Sequence, residues 1–138
     1  MPGPWEVVKN VLVAGELPRW QKEMMFVAIS KGRNCRYCTA AHIACCRMLG
    51  VKPSLLEQLV RGIYALSDLK LRSMIKFGLI KCARDPKSLT EEDYESLRQH
   101  GLKQSEIVEI IAMSALAVYA NIIADATAME SDQMFDTL

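Results

Sequence analysis

Lys22-Glu23-Met24-Met25-Phe26-Val27-Ala28-Ile29-Ser30 is followed, across Lys31-Gly32-Arg33-Asn34, by Cys35-Arg36-Tyr37-Cys38-Thr39-Ala40-Ala41-His42. The first segment is apolar all round after its two opening charges. The second reads C-x-x-C-x-x-x-H, and His42, four residues beyond Cys38, shares a helix face with it. Gly32 and Asn34 mark a break between the two. A helical hairpin folded about that break would return the Glu23 carboxylate to the His42 imidazole. Periodicity alone leaves Met24 to Ile29 open as a buried strand. Beyond Ile29 no convincing alternating pattern is present, so the expected fold is all-α, a bundle of six or seven helices.

Working outward, Trp5, Val8 and Leu12, with Val7 and Val11, carry helical spacing, and Gly15 interrupts it. Pro18 suits the opening of the second helix. The third runs from near Asn34 or Cys35 to Gly50, a glycine placed for a C-terminal cap. Pro53 or Ser54 opens a fourth. Ser67 or Asp68 caps a fifth, through Ile80, that Asp85-Pro86 ends. Thr90-Glu91-Glu92-Asp93 starts a sixth, stopped at Gly101. Ser105 is expected to cap a long seventh, from Glu106 to about Met129, leaving residues 130–138 as a loose end or interface arm. Leu49 to Ser54 echoes His100 to Ser105, consistent either with a duplicated helical hairpin or with similar joints reused.

The chain has 138 residues, enough for one domain. With 51% hydrophobic and 7% aromatic residues, its core must be largely aliphatic and methionine-rich. A net charge of +1, without a basic cluster, gives no case for a nucleic-acid partner. The opening Met1-Pro2-Gly3-Pro4-Trp5 lacks the pattern of a signal peptide, so a cytoplasmic location is expected. Ile110 to Ala120, extended through Ala124, falls short of the roughly 20 apolar residues that span a bilayer. Such a helix fits a core or a subunit interface, and oligomerisation is expected.

Five cysteines without an export signal point to thiol chemistry rather than a structural disulfide framework. Cys35, near a helix N-terminus, lies where the dipole favours negative charge, and Lys31, Arg33 and Arg36 add positive potential. His42 can take a thiol proton and Glu23 can orient it. A close dithiol also allows a sulfenic acid to be resolved as a disulfide. Two other readings of the motif stand beside this one. A thioredoxin fold would need later strands that the chain does not suggest. A zinc site would use Cys35, Cys38 and His42 with a further ligand such as Glu23, while Cys46 lies about 16 Å from Cys35 along one helix. Cys45, Cys46 and Cys82 read as small buried residues. His100 reads as a surface cap. Asn121 and Asp125, on the apolar seventh helix, call for partners across helices or a subunit interface.

Glu23-x11-Cys35-x2-Cys38-x3-His42, followed by Met48-Leu49-Gly50-Val51, resembles the AhpD-like alkylhydroperoxidases of the carboxymuconolactone decarboxylase family. The resemblance runs from about Leu17 to Asp125 and includes Asp85-Pro86, Leu89-Thr90 and Gly101-Leu102. It implies a helical subunit assembling into trimers or hexamers, and peroxide reduction without flavin, haem or metal. It implies that Cys38 attacks the peroxide, that Cys35 donates a proton and resolves the sulfenic acid, and that His42 and Glu23 relay protons. An external dithiol or protein reductant would restore the pair. Better-studied AhpD proteins carry histidine directly before the second cysteine, where this chain has Tyr37. The decarboxylase branch generally lacks the cysteine pair, so lactone decarboxylation is not expected. A protein dithiol–disulfide reductase or adaptor, and a redox or metal sensor, are the competing functional classes.

Overall fold

The computed structural model describes residues 3–128, which form seven α-helices and no strand. These are α1 (Pro4–Val8), α2 (Arg19–Gly32), α3 (Arg36–Met48), α4 (Pro53–Arg61), α5 (Leu69–Lys76), α6 (Glu91–Gln99) and α7 (Gln104–Ala126). The expected tail, residues 130–138, lies outside the described residues.

α2 is the axis of the bundle. Every residue from Lys22 to Ser30 is buried, as expected of a helix that is apolar all round. The strand alternative for Met24 to Ile29 is replaced by helix, since the segment lies inside α2. Burying Phe26 or Met24 contributes about 2 kcal/mol each. At the break, Asn34 adopts the left-handed region with φ 60°, a conformation asparagine tolerates better than most residues. The Cys35 N–H then donates to Ser30 O at 2.9 Å, and α3 returns along α2.

α7 packs against α2, α3 and the turn after α5. By length and composition its 23 residues suffice to cross a membrane, but Ile107, Ile110, Met113, Leu116 and Ala117 are core residues packed on the bundle. It begins two residues earlier than the sequence suggests. Lys103 is the N-cap residue, its backbone N–H donates to Glu106 Oε1 at 2.9 Å, and Ser105 falls inside the first turn. It ends at Ala126 rather than near Met129.

The expected first and fifth helices both change pitch. α1 continues as a π-helical turn over Lys9–Val13, and α5 as one over Phe77–Cys82. The second has a visible packing context: a Cβ at Gly78 would sit 2.7 Å from Ser114 Oγ on α7. Backbone and helix therefore meet closely where the ladder changes.

Asp68 caps α5 through a 3.0 Å bond from the Leu71 N–H. The two similar joints close alike: Gly50 and Gly101 have φ near +81° and +82°, and Val51 and Leu102 donate back to Cys46 and Leu97. Both are Schellman-type stops with a buried apolar residue after the glycine.

An ion pair that the sequence reading missed locks the N-terminal segment to this core. Lys22, fully buried, places Nζ 2.8 Å from Glu109 Oε1 and donates to the carbonyls of Val11 and Ala14. Glu109 also accepts from the backbone N–H groups of Glu16 and Leu17. Burial works against its charge, but these donors outweigh it and hold the carboxyl below its usual range.

Candidate redox site

Cys35 is the N-cap residue of α3, and Cys38 occupies that helix's first turn; both are buried. Thr39 ties the turn together, its hydroxyl donating to Cys35 O at 2.7 Å. One turn on, His42 presents Nδ1 to Glu23 Oε2 at 2.5 Å. The hairpin thus brings together Glu23 and His42 as their spacing suggests. A carboxylate accepts, so Nδ1 carries the proton and Nε2 is left as the base of the neutral ring.

Glu23 has no solvent exposure, and its second oxygen, Oε1, is buried without a hydrogen bond. Its nearest cation is half-exposed Arg19, one turn earlier, with Nε 3.6 Å from Oε1. Phe26 stacks on the His42 ring, with centroids 3.5 Å apart and planes at 14°. The imidazole is therefore held by an acid at one edge and an aromatic face.

Burial pushes the Cys35 thiol up to about 12, with the side chains of Cys38 and Asp125 adding to the rise. The Cys38 backbone N–H favours the Cys35 thiolate, but burial prevails and no capping hydrogen bond closes on the side chain. Cys35 consequently retains its proton at neutral pH despite the cationic neighbourhood read from the sequence. A cavity of about 460 Å³ opens beside it, lined by Lys31, Asn34, Cys35, Arg36, Thr39, Ala40 and Ile43. A larger hollow of about 730 Å³ lies further along, between Arg47, Leu56 and Arg61, and contains no thiol. The smaller one adjoins the chemistry.

From α7, Asn121 Nδ2 donates to Ser30 Oγ at 2.9 Å, the cross-helix partner its burial demands. Asp125, one turn on, is near enough to influence Cys35. Two residues of the apolar helix thus support the base of the dithiol.

Cys46 is a buried core residue whose thiol burial pushes up to about 12. Cys82 is half-buried, and burial raises it to about 11, against a lowering contact from Ser114. Cys45 departs from the bland reading. It is half-buried, and its ligand atom lies within 4.8 Å of those of Glu23 and His42, the one such three-residue group among the described residues. Burial raises its pKa first, then the Glu23 charge, while Arg19 lowers it. The pairing with Glu23 and His42 is not the zinc set suggested by sequence, since Cys45 stands where Cys35 and Cys38 were expected. Its position three residues after His42 was the available signal. Arg19, four before Glu23, carried a similar one.

No protein-family model matches the sequence, and no curated protein matches it. Solved structures do. One, from Ralstonia eutropha JMP134, is described as an alkylhydroperoxidase AhpD core, an uncharacterized peroxidase-related protein. It is 26% identical with a TM-score of 0.89, and the match covers 96% of this chain and 70% of that one. Another, an uncharacterized peroxidase-related protein from Silicibacter sp. TM1040, is 29% identical with a TM-score of 0.88 over the same shares. The helical bundle described above is an AhpD-like fold.

Proposed function

We propose that the protein is a thiol-dependent peroxidase, reducing hydrogen peroxide or organic hydroperoxides through Cys35 and Cys38. The observation that carries this reading is the Glu23–His42 contact held one turn from the dithiol. Likeness to peroxidase-related proteins supports the same class.

His42 Nε2 takes the Cys38 proton, while the Glu23 carboxylate stabilises the resulting imidazolium. The Cys38 thiolate attacks one peroxide oxygen, the O–O bond breaks, and the departing alkoxide takes a proton from Cys35 to leave as alcohol. Cys38 is then a sulfenic acid. The Cys35 sulfur displaces its hydroxyl, which leaves as water with the proton held by His42, and a Cys35–Cys38 disulfide forms. An external dithiol or protein reductant supplies two electrons and two protons to restore the thiols. The high pKa of Cys35 suits it to the donor and resolving roles and leaves attack to Cys38. No flavin, haem or metal enters the cycle. The protein works as a cytoplasmic homo-oligomer, trimer or hexamer, and the exposed apolar residues Val108, Ile111, Ile122 and Ile123 of α7 support subunit association.

The test is single-turnover loss of thiols after one equivalent of cumene hydroperoxide, with the disulfide mapped by mass spectrometry. Rapid loss of two thiols with a Cys35–Cys38 bond is expected. An inert dithiol that rapidly reduces protein disulfides would instead make the protein a disulfide reductase or adaptor.

A further inference from the structure

The Glu23–His42 pair has a third neighbour that the peroxidase cycle leaves unused. We propose that Glu23, His42 and Cys45 form a zinc-binding site, and that zinc occupancy withdraws the proton relay from the dithiol. The second half of the proposal rests on the peroxidase reading; the first does not.

Three observations meet here. The ligand atoms of the three residues lie within 4.8 Å of one another, close enough for one small ion to reach all three after modest side-chain rotation. They are a thiol, an imidazole and a carboxylate, the donor types that zinc takes. The third observation concerns Glu23 alone: it is fully buried, and its Oε1 has no hydrogen-bond partner. Arg19 Nε stands 3.6 Å from that oxygen, an ion pair beyond hydrogen-bond length, and a buried carboxylate oxygen without a hydrogen bond is costly unless something binds it.

The adjustment required is small. His42 Nδ1 and Glu23 Oε2 stand 2.5 Å apart with a proton between them. Around tetrahedral zinc, with bonds of about 2.0–2.1 Å, a nitrogen and an oxygen ligand sit about 3.3 Å apart. The pair must therefore open by less than about 1 Å as the metal takes Nδ1 and the ring's proton passes to Nε2. Cys45 gives up its own proton to become the thiolate ligand. Three protein ligands leave a fourth position, and the partial exposure of His42 and Cys45 lets water or a solution ligand reach it. Sequence spacing points to Cys35 and Cys38 as the sulfur ligands; the geometry points to Cys45, about two turns beyond Cys38 along α3.

With the metal on Nδ1 the neutral ring carries its proton on Nε2, so that nitrogen can no longer accept the Cys38 proton, and Glu23 is held by the metal instead of orienting the ring. Zinc thus blocks thiol activation without touching either redox sulfur. The occupant is a zinc ion in exchange with solution, not a resident cofactor of the peroxide reaction.

The experiment titrates the reduced full chain with Zn²⁺ against a chromophoric chelator, and with Co²⁺ as a spectroscopic substitute. One equivalent should bind, with a thiolate-to-cobalt charge-transfer band. Cys45→Ser should abolish the band and weaken binding at least tenfold, whereas the Cys35→Ser/Cys38→Ser double variant should keep both. In the unaltered chain, Zn²⁺ should shield Cys45 from alkylation, while Cys38, its base withdrawn, reacts more slowly but is not shielded. That readout needs no variant to fold. Absence of stoichiometric binding, a band that survives Cys45→Ser, or protection confined to Cys35 and Cys38 would each overturn the site. Zinc bound at Cys45 with peroxide-driven thiol loss unchanged would overturn the blocking role alone. None of the binding readouts depends on peroxide turnover, so failure of the peroxidase reading would register separately.

Discussion

His42 Nδ1 lies 2.5 Å from Glu23 Oε2, on a carboxylate that α2 delivers from the solvent-free centre of the bundle. A buried acid beside an imidazole is more than a packing detail, because it fixes which ring nitrogen is free to act as base. Glu23→Gln keeps the shape but removes the charge that stabilises the imidazolium. Peroxide-driven thiol oxidation should slow by roughly 100-fold or more, with helix content by circular dichroism retained. A rate within twofold of the parent would remove Glu23 from the relay.

The two cysteines of the motif should separate by role. Cys38→Ser should show no peroxide-driven oxidation at all. Cys35→Ser should still form a sulfenic acid on Cys38, trapped by dimedone, but should fail to recycle. Sustained multiple turnover by Cys35→Ser would contradict its resolving part.

How much of this was legible in the sequence follows from what each feature depends on. The helical hairpin and the Glu23–His42 meeting depend on spacing along two helices and one break at Asn34, all of which is local. The strand alternative for Met24 to Ile29 could not be dismissed locally, since an all-apolar run has no informative period and a strand covered on both faces would be as apolar as this buried helix. The spacing of Cys45 three residues after His42 puts the two on one face of α3, but whether Glu23 meets that face depends on the rotation of α3 against α2. Nothing local marks Lys22 as a buried charge, because its partner Glu109 lies 87 residues further along the chain. The π-helical turn over Phe77–Cys82 lies where Gly78 meets α7, a tertiary relationship invisible to local periodicity.

Buried thiols also make a pH signature. In the unfolded chain a cysteine releases its proton near 9.0, whereas Cys82 holds it to about 11 and Cys35 to about 12. Above pH 9 the unfolded state therefore binds fewer protons than the folded one, and stability falls as pH rises. The contribution is fully present below 9 and is lost progressively towards 11 and 12. Thermal melts of reduced protein at pH 8 and pH 10.5 should show a drop in Tm, with a shallower drop in Cys82→Ala. Equal slopes for parent and variant would place the alkaline sensitivity elsewhere.

Lys22 and Glu109 make a separate, structural prediction. Replacing Lys22 by Met leaves the Glu109 carboxylate and the carbonyls of Val11 and Ala14 without their common donor. Breaking a buried pair from one side costs about 3–5 kcal/mol. Urea unfolding should show that loss, and limited proteolysis should find the segment before α2 newly accessible. Replacing both residues by apolar ones should recover part of the stability, because no charge is then stranded.

The approach of Gly78 to Ser114 gives the most local test of the packing behind the site. A methyl group at position 78 would stand 2.7 Å from Ser114 Oγ, inside van der Waals contact, and that hydroxyl is already committed to Ile110 O at 2.7 Å. Gly78→Ala should therefore destabilise by about 1–3 kcal/mol through overpacking, despite the better helix propensity of alanine. Ser114→Ala alone removes a hydroxyl bonded within its own helix and should cost less. If the contact is the cause, the Gly78→Ala/Ser114→Ala pair should be more stable than the sum of the single changes predicts, by denaturant midpoint at unchanged slope. Strict additivity would show that the added methyl is accommodated by movement of α7 rather than opposed by the hydroxyl.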